Sequence, residues 1–147
     1  MNGIQWLCFL GNLSLSGCLC DDMGLGKTIQ TLCCILKESK TALTNHKKFP
    51  INLVVCPNSL VLNWIKEHSK FFKEGQNFNL IKISNLNEIN QNLSGVSYMT
   101  LSTKPILFIT SYDKFKEASE VELIRKLNFF YLVLDEAHLV KNHKSKI

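Results

Sequence analysis

The sequence lacks the patterns of a zinc site and of a disulfide framework. It has six cysteines, but none of them forms a Cys-x-x-Cys pair and no His-x-x-x-His run accompanies them. Cys18, Cys20 and Cys56 fall in apolar runs that predict buried strands, where cysteine behaves as a small hydrophobic residue. A reducing compartment therefore suits the chain better than an oxidising one.

Charged side chains are absent before Asp21, so the chain has no positively charged start of a signal peptide. The same stretch would be a poor bilayer-spanning helix, because polar residues interrupt it between Asn2 and Ser16. We therefore expect a soluble protein with no membrane partner.

Arginine is nearly absent, since sixteen lysines are accompanied by a single arginine. The net charge of +5 is a mild basic bias that is compatible with a polyanionic partner. On charge alone, however, a solvated lysine surface is the better interpretation. With 147 residues, 46% hydrophobic and 20% charged, the chain has the size and composition of one globular domain.

Apolar runs alternate with amphipathic segments along the chain. Strands that are apolar throughout and alternate with helices predict an α/β fold with a parallel sheet covered on both faces. Ligands of such sheets bind at the carboxyl ends of the strands. Ser59 is the expected N-cap of its helix. The predicted strands are residues 17–20, 53–56, 80–83, 106–109 and 130–134. The predicted helices are residues 3–10, 59–72, 112–127 in one or two pieces, and one that begins at Lys27, and the predicted loops are residues 39–50 and 84–104.

The stretch that ends at Thr28 has the composition of a phosphate-binding loop. Gly24 and Gly26 allow the sharp turn, and the helix that follows points the positive end of its dipole at the same place. Lys27 would reach the terminal phosphates of ATP, and the Thr28 hydroxyl would ligate Mg²⁺. The strict pattern has glycine where this chain has Asp21, yet the predicted strand before and helix after favour the functional interpretation. The predicted nucleotide-binding residues are Asp22, Met23, Gly24, Leu25, Gly26, Lys27 and Thr28.

Asp135 and Glu136 follow directly after the apolar run 130–134. An aspartate at the end of a buried strand can hold Mg²⁺ opposite the Thr28 hydroxyl. The neighbouring glutamate can orient the attacking water and partly deprotonate it. We therefore predict Lys27, Asp135 and Glu136 as catalytic residues, Thr28 and Asp135 as metal ligands, and ATP and Mg²⁺ as cofactors.

The histidines are less informative. His138 lies two positions past the acidic pair and is a candidate for coupling, although a solvated side chain would explain it equally well. His46, His68 and His143 have no partner pattern and are interpreted as surface or packing residues.

Five motifs, in this order, resemble those of the Swi2/Snf2 family of superfamily 2 helicase-like ATPases and cover nearly the whole chain. They are Gly3–Leu7, Cys20–Thr31, Val55–Trp64, Ile109–Asp113 and Leu134–Asn142, with the acidic pair inside an Asp-Glu-Ala-His (DEAH) box. The resemblance implies a three-layer RecA-like P-loop domain, ATP hydrolysis, translocation on duplex DNA and a nuclear location. It also implies remodelling of chromatin or of other protein–DNA complexes, with histones or another DNA-bound protein as partners.

The resemblance further implies that Asn58, Ser59, Thr110 and Ser111 lie near DNA phosphates. Small hydroxyl and amide groups that follow a strand suit such contacts, which position a protein without reading bases. Without the resemblance, ordinary loop and cap chemistry would explain all four residues. Trp64, on the apolar face of the helix that follows Ser59, is expected to pack in the core.

Some features of the family have no counterpart in the chain. The glutamine that reads adenine would precede Met1, and the motif after the acidic pair, the second lobe and its arginine finger are missing. Arg125 lies in a predicted helix and matches no motif. Residues 1–147 are therefore interpreted as a partial N-terminal helicase ATP-binding lobe with little activity alone. Within the family, Leu19–Met23 and the tail Asn142–Lys146 are similar to the removers of TATA-binding protein.

Two other classes of function stay open. One is a non-catalytic fragment that binds a nucleotide or a partner protein without turnover. The other is the lobe of a DEAH-type RNA helicase, although Asp21–Leu25 and Ser111–Asp113 favour the DNA-dependent group.

Overall fold

A computed structural model describes residues 3–22, 24–46, 50–72, 78–85, 87–93, 104–114 and 118–141. The helices are α1 (Gly3–Asn12), α2 (Lys27–His46), α3 (Asn58–Phe71), α4 (Asn87–Leu93) and α5 (Ala118–Leu127), the strands are β1 (Ile51–Cys56), β2 (Asn79–Lys82), β3 (Ile106–Ser111) and β4 (Tyr131–Leu134), and short 3₁₀ helices cover Tyr112–Lys114 and Ala137–Lys141. No helix in these ranges is both long enough and apolar enough to cross a bilayer.

The strands form one parallel sheet in the order β2-β3-β1-β4. In its register Cys56 lies beside Ser111, and Val55 beside Leu134. Strands β1, β3 and β4 therefore end at the same edge, and the residues that follow them emerge there. This confirms the predicted α/β fold with a parallel sheet.

Helices cover both faces of the sheet and give the fold its three layers. On one face, Leu32 and Ile35 of α2 and Trp64 of α3 form a buried cluster with alternate residues of β1 and β3. On the other face, Ile89 of α4 lies in a second buried cluster, and Ile124 of α5 packs against it. Alternate strand residues point to opposite faces, which is why uniformly apolar strands are needed here.

The prediction of a buried strand at residues 17–20 is wrong. These residues form irregular chain, and Cys18 and Cys20 are exposed, with their sulfur atoms 3.4 Å apart. The segment lies along α1 instead. At Gly17 the two are so close that an added Cβ would come within 2.7 Å of Leu10 Cδ1 and 3.2 Å of Trp6 Cζ3. An apolar run becomes a strand only where a neighbouring strand accepts its backbone hydrogen bonds, and sequence alone does not identify that neighbour.

The predicted loop at residues 39–50 is also largely wrong, because α2 continues to His46. The polar side chains there are compatible with a helix, since the hydroxyls of Thr41 and Thr44 donate to backbone carbonyls one turn earlier. Ser39 is buried and contacts the side chain of Asn52 in β1. Tertiary packing therefore extends the helix past the end of its apolar pattern.

Further boundaries differ from the predictions, and the predicted helix at residues 112–127 is described as a 3₁₀ helix at Tyr112–Lys114 and α5 at Ala118–Leu127. Helix α3 begins at Asn58, and its N-cap position is Pro57 rather than Ser59. The predicted loop at residues 84–104 contains α4, which buries Ile89 against the sheet. Residues 94–103 of the predicted loop lie outside the described residues.

Candidate functional site

The loop before α2 makes the sharp turn that its glycines predict. Gly24 and Gly26 have φ values of +85° and +72°, a left-handed conformation that side chains with a Cβ rarely adopt. A Cβ at Gly24 would meet nothing within 4 Å, so this side of the loop is open, whereas one at Gly26 would lie 3.2 Å from Ile29 Cγ2. The loop leads directly into Lys27, the first residue of α2, whose leading N–H groups form an anion-binding end. Met23 lies outside the described residues.

Lys27 is held against its own loop. Its Nζ donates to the backbone carbonyls of Asp21 at 2.7 Å and of Asp22 at 2.9 Å. The ammonium group is therefore bonded to carbonyl dipoles rather than to a carboxylate, and these are bonds that a phosphate oxygen can replace. Thr28 follows in the first turn of α2 and is half-buried.

Gln30, in the first turn of α2, contacts this loop and is not among the predicted site residues. Its Nε2 donates to the Leu25 carbonyl at 2.8 Å, and its backbone N–H donates to the Gly26 carbonyl at 3.0 Å. Its buried Oε1 has no hydrogen-bond partner among the described residues. This oxygen lies next to Gly3 of α1, so close that a Cβ on Gly3 would collide with it. The amide thus lies between the phosphate loop and α1. A polar side chain one turn into a helix that follows a glycine loop is the signal that could have identified it.

Asp135 is fixed by four hydrogen bonds. Its backbone N–H donates to the Val55 carbonyl at 2.9 Å, and its own carbonyl accepts from the Tyr112 hydroxyl at 2.8 Å. Of the carboxylate oxygens, Oδ2 accepts from Trp64 Nε1 at 2.8 Å and Oδ1 from the Glu136 backbone N–H at 3.0 Å. Both the backbone and the side chain of this residue are therefore held in place.

Glu136 and His138 contact each other. His138 Nδ1 lies 3.2 Å from Glu136 Oε2, and both side chains are exposed to solvent in part. Glu136 has a φ of +52°, which costs a residue with a Cβ about 1–2 kcal/mol. This unusual backbone conformation turns the chain sharply after Asp135. The Glu136 side chain is 40% exposed, and a residue that positions a water must be accessible in this way.

Two buried groups close to the Asp135 carboxylate are neutral. Burial, and then the negative charge of Asp135, raises the pKa of the Cys56 thiol to about 12. Burial first, and then Asp135, raises the pKa of the Tyr112 hydroxyl to about 12 as well. Both groups therefore keep their protons at neutral pH. The ion pairs among the described residues involve other carboxylates, those of Asp113, Glu122 and Glu136.

Magnesium bound together with a nucleotide fits this donor set. The described residues contain no group of three or more His, Cys, Asp or Glu side chains that could hold a metal ion on their own. Mg²⁺ typically takes one or two protein oxygen ligands and completes its shell with phosphate oxygens and water. The Asp135 carboxylate has no cationic partner in the described ion pairs, and the Thr28 hydroxyl is a second oxygen donor.

The orientation of α2 brings the phosphate loop toward the acidic pair, but no contact joins the two among the described residues. Ser39 of α2 contacts Asn52 near the start of β1, with 3.2 Å between the Ser39 Oγ and the Asn52 Nδ2. The opposite end of α2, at Lys27, therefore extends toward the carboxyl ends of the strands, where Asp135 emerges. Within the described part of the chain, no hydrogen bond or ion pair connects Lys27 or Thr28 with Asp135. A shared magnesium site stays a prediction.

The four residues predicted near DNA phosphates fall into two environments. Asn58 and Ser59 are exposed in the first turn of α3. Thr110 and Ser111 are only 1% and 3% exposed at the end of β3, and the Thr110 hydroxyl donates to the Ile83 carbonyl at 3.2 Å. In this structure, therefore, the first pair is accessible to a polyanion and the second pair is not.

The family is decided by comparison with known proteins. The SNF2-related domain matches residues 1–147, which is the whole chain. The chain belongs to the Snf2 family. The resemblance identified from the motifs is thereby confirmed.

Among the Snf2 relatives are several large proteins. The chain is 30% identical to human TATA-binding protein-associated factor 172, 35% to TATA-binding protein-associated factor BTAF1 of Arabidopsis thaliana and 34% to helicase swr1 of Aspergillus fumigatus. The matches cover 98–99% of this chain but only 7–8% of those proteins. The chain thus spans a small part of the length of these relatives.

Two solved structures from Sulfolobus solfataricus share the Snf2 fold. A SWI2/SNF2 ATPase core in complex with dsDNA is 22% identical with a TM-score of 0.55, and the match covers 99% of this chain and 32% of that chain. A SWI2/SNF2 ATPase core domain is 23% identical with a TM-score of 0.57, covering 90% and 29%. These likenesses confirm the predicted RecA-like α/β architecture.

Proposed function

We propose that this chain is the ATP-binding lobe of a Snf2-type, DNA-dependent ATPase. The observation that carries the proposal is the state of Asp135. Its carboxylate is fixed by two hydrogen-bond donors, lies close to the neutral Cys56 and Tyr112 and has no cation in the described ion pairs. A carboxylate held in this way at the end of a parallel strand is prepared for a divalent cation.

In the proposed mechanism, MgATP supplies the phosphoryl group and the cation that neutralises its charge. The N–H groups of the loop and of the first turn of α2 bind the phosphate oxygens. Lys27 would exchange the carbonyls of Asp21 and Asp22 for phosphate oxygens, and Thr28 and Asp135 would hold the metal ion. Glu136 orients a water and accepts its proton at a carboxylate oxygen.

Duplex DNA is the proposed partner of the active protein. A structural neighbour was solved with dsDNA, and several relatives are TATA-binding protein-associated factors. We propose that the exposed Asn58 and Ser59 contact DNA phosphates, that the motor shifts histones or another DNA-bound protein, and that it acts in the nucleus. His138 is proposed to couple the acidic pair to the rest of the motor.

Residues 1–147 are proposed to form a partial N-terminal helicase ATP-binding lobe that requires a second lobe for turnover. An arginine finger from another lobe can be worth about 10³–10⁵ in rate. We therefore expect this chain to bind MgATP weakly and to show negligible DNA-stimulated hydrolysis by itself.

The first test compares MgATP binding to the chain and to two lysine variants by isothermal titration calorimetry. Lys27→Ala removes the phosphate-binding ammonium and is expected to weaken binding at least about tenfold, since charge-assisted bonds are the strong ones. Lys37→Ala removes an exposed lysine of the same helix and should bind like the unchanged chain. Equal affinity of the Lys27 variant and the unchanged chain would contradict a nucleotide site at this loop.

Turnover then separates the classes of function. In a longer protein that contains both lobes, stimulation of hydrolysis by duplex DNA but not by RNA is expected, and the opposite preference would indicate an RNA helicase. Nucleotide-dependent thermal stabilisation without hydrolysis in that longer protein would instead indicate a non-catalytic binding role.

A further inference from the structure

Trp64 does more than fill the core, because its indole N–H is bonded to the predicted metal ligand. The ring is 3% exposed and lies in the buried cluster between α2, α3 and the sheet. Its Nε1 donates to Asp135 Oδ2 at 2.8 Å, across 71 residues of sequence. This contact places a neutral, rigid donor against a carboxylate that the proposed function needs as an anion.

We propose that Trp64 is a positioning residue that holds the Asp135 carboxylate in one orientation for Mg²⁺ bound with the nucleotide. The inference rests on the proposed function and adds to it a residue that touches neither nucleotide nor metal. Outer contacts of this kind orient metal ligands, and their loss typically weakens metal affinity about 10–100-fold.

The geometry explains why one indole suffices. Asp135 Oδ1 already accepts the Glu136 backbone N–H, which alone would leave the other oxygen free to rotate. The bond from Trp64 to Oδ2 fixes that second oxygen, so the plane of the carboxylate is defined at two points. An indole has a donor and no acceptor, so it stabilises the carboxylate without competing for a cation.

The position of the donor is itself defined by packing. Trp64 lies one turn after Val61 on α3, and both side chains are buried. A buried N–H without a partner is unfavourable, so the indole and the carboxylate constrain each other. An ammonium group at the same place would instead neutralise the carboxylate and compete with Mg²⁺ for it.

The test uses the fact that the chain has two tryptophans, Trp64 and Trp6. Trp64→Phe keeps an aromatic ring in the core and removes the N–H, and Trp6→Phe is the matched control in α1. Calorimetry measures ATP affinity with Mg²⁺ and with EDTA. Trp64→Phe is expected to weaken MgATP binding by about 10-fold and to leave binding of metal-free ATP within twofold, since it disturbs the metal ligand alone. Trp6→Phe should leave the ratio of the two affinities unchanged.

A second measurement observes the hydrogen bond without nucleotide. In the Trp6→Phe variant, the remaining indole ¹H–¹⁵N signal belongs to Trp64, and it should shift when Asp135→Asn is added. An unshifted signal, or equal losses of affinity with and without Mg²⁺ in Trp64→Phe, would reduce Trp64 to a packing residue and overturn the inference. If the unchanged chain binds no MgATP, the proposed function fails together with the positioning role, even where the indole signal reports the bond.

Discussion

At the scale of the single residue, His68 is a buried histidine enclosed by aromatic rings. It is 7% exposed, and its ring centroid lies 5.5 Å from that of Phe72 and 5.8 Å from that of Phe78. Its buried Nε2 has no hydrogen-bond partner among the described residues. Burial therefore lowers the pKa of this imidazole below its ordinary value of 6.5, because the charged form is poorly solvated there.

This lowered pKa predicts a loss of stability in mild acid. The unfolded chain binds a proton at His68 near pH 6.5, whereas the folded chain does so only at a lower pH. His68 should therefore leave the free energy of unfolding unaffected well above pH 6.5, and this free energy should decrease as the pH falls below about 6.5. Urea titrations between pH 7.5 and 5 measure this. His68→Phe keeps an aromatic ring and should flatten the dependence, and an equal slope in both proteins would contradict the role assigned to His68.

The site residues that sequence could predict are those whose chemistry is local. Gly24 and Gly26 were identifiable because a phosphate loop needs positive φ angles within a few residues of a lysine, and both have them. The bond between Trp64 and Asp135 could not be identified, because it joins residues 71 positions apart that only the fold brings together. The burial of Thr110 could not be predicted either, because its hydroxyl donates to the carbonyl of Ile83, a residue far away in sequence.

At the scale of the element, a glycine of α1 lies against the end of a side chain from β4. A Cβ at Gly11 would lie 2.6 Å from the Tyr131 hydroxyl oxygen and 3.8 Å from the ring carbon that bears it. The hydroxyl is therefore the one atom that would have to shift to admit a Cβ at Gly11. Elsewhere in a helix, glycine is about 1 kcal/mol less favourable than alanine, so the contact outweighs a helix preference.

A double-mutant cycle tests this contact. Gly11→Ala is expected to destabilise the chain by about 1–2 kcal/mol, since overpacking outweighs the gain in helix propensity. Adding Gly11→Ala to a Tyr131→Phe chain should be neutral or stabilising, because the oxygen in the way is gone. Chemical denaturation of the four proteins gives the coupling energy. Additive effects would show that the hydroxyl does not determine the packing.

The predictions of secondary structure were correct where the sequence pattern agrees with the packing. They were wrong where a neighbouring element determines which structure forms. Strands β1 and β3 were predicted because a strand buried on both faces must be apolar throughout. Residues 17–20 have the same apolar character, yet they lie along α1, and the pattern contains no information about which partner is available. The reverse holds for α4, whose short polar sequence predicted a loop but which buries Ile89 completely.

At the scale of the whole molecule, the sheet is covered unevenly. Strand β4 pairs with β1 alone among the described strands, so it is an edge of the sheet. Tyr131 and Val133 pack against the cluster under α2 and α3, whereas Leu132 and Leu134, 47% and 46% exposed, point to the other face. Apolar side chains on an edge strand favour pairing with another chain, because backbone hydrogen-bonding groups are available beside them.

We therefore expect concentration-dependent self-association of the isolated chain that Leu132→Lys suppresses. A lysine on an edge strand opposes edge-to-edge pairing, and the exposed position should accept it with a change in unfolding free energy of at most about 0.5 kcal/mol. Leu62→Lys is the matched control, since Leu62 is 60% exposed on α3 and lies on no strand edge. Sedimentation velocity over a range of concentrations compares the three proteins. Because both variants add the same charge, a general solubility effect would act on them equally, and only a loss of association confined to the Leu132 variant assigns the contact to β4.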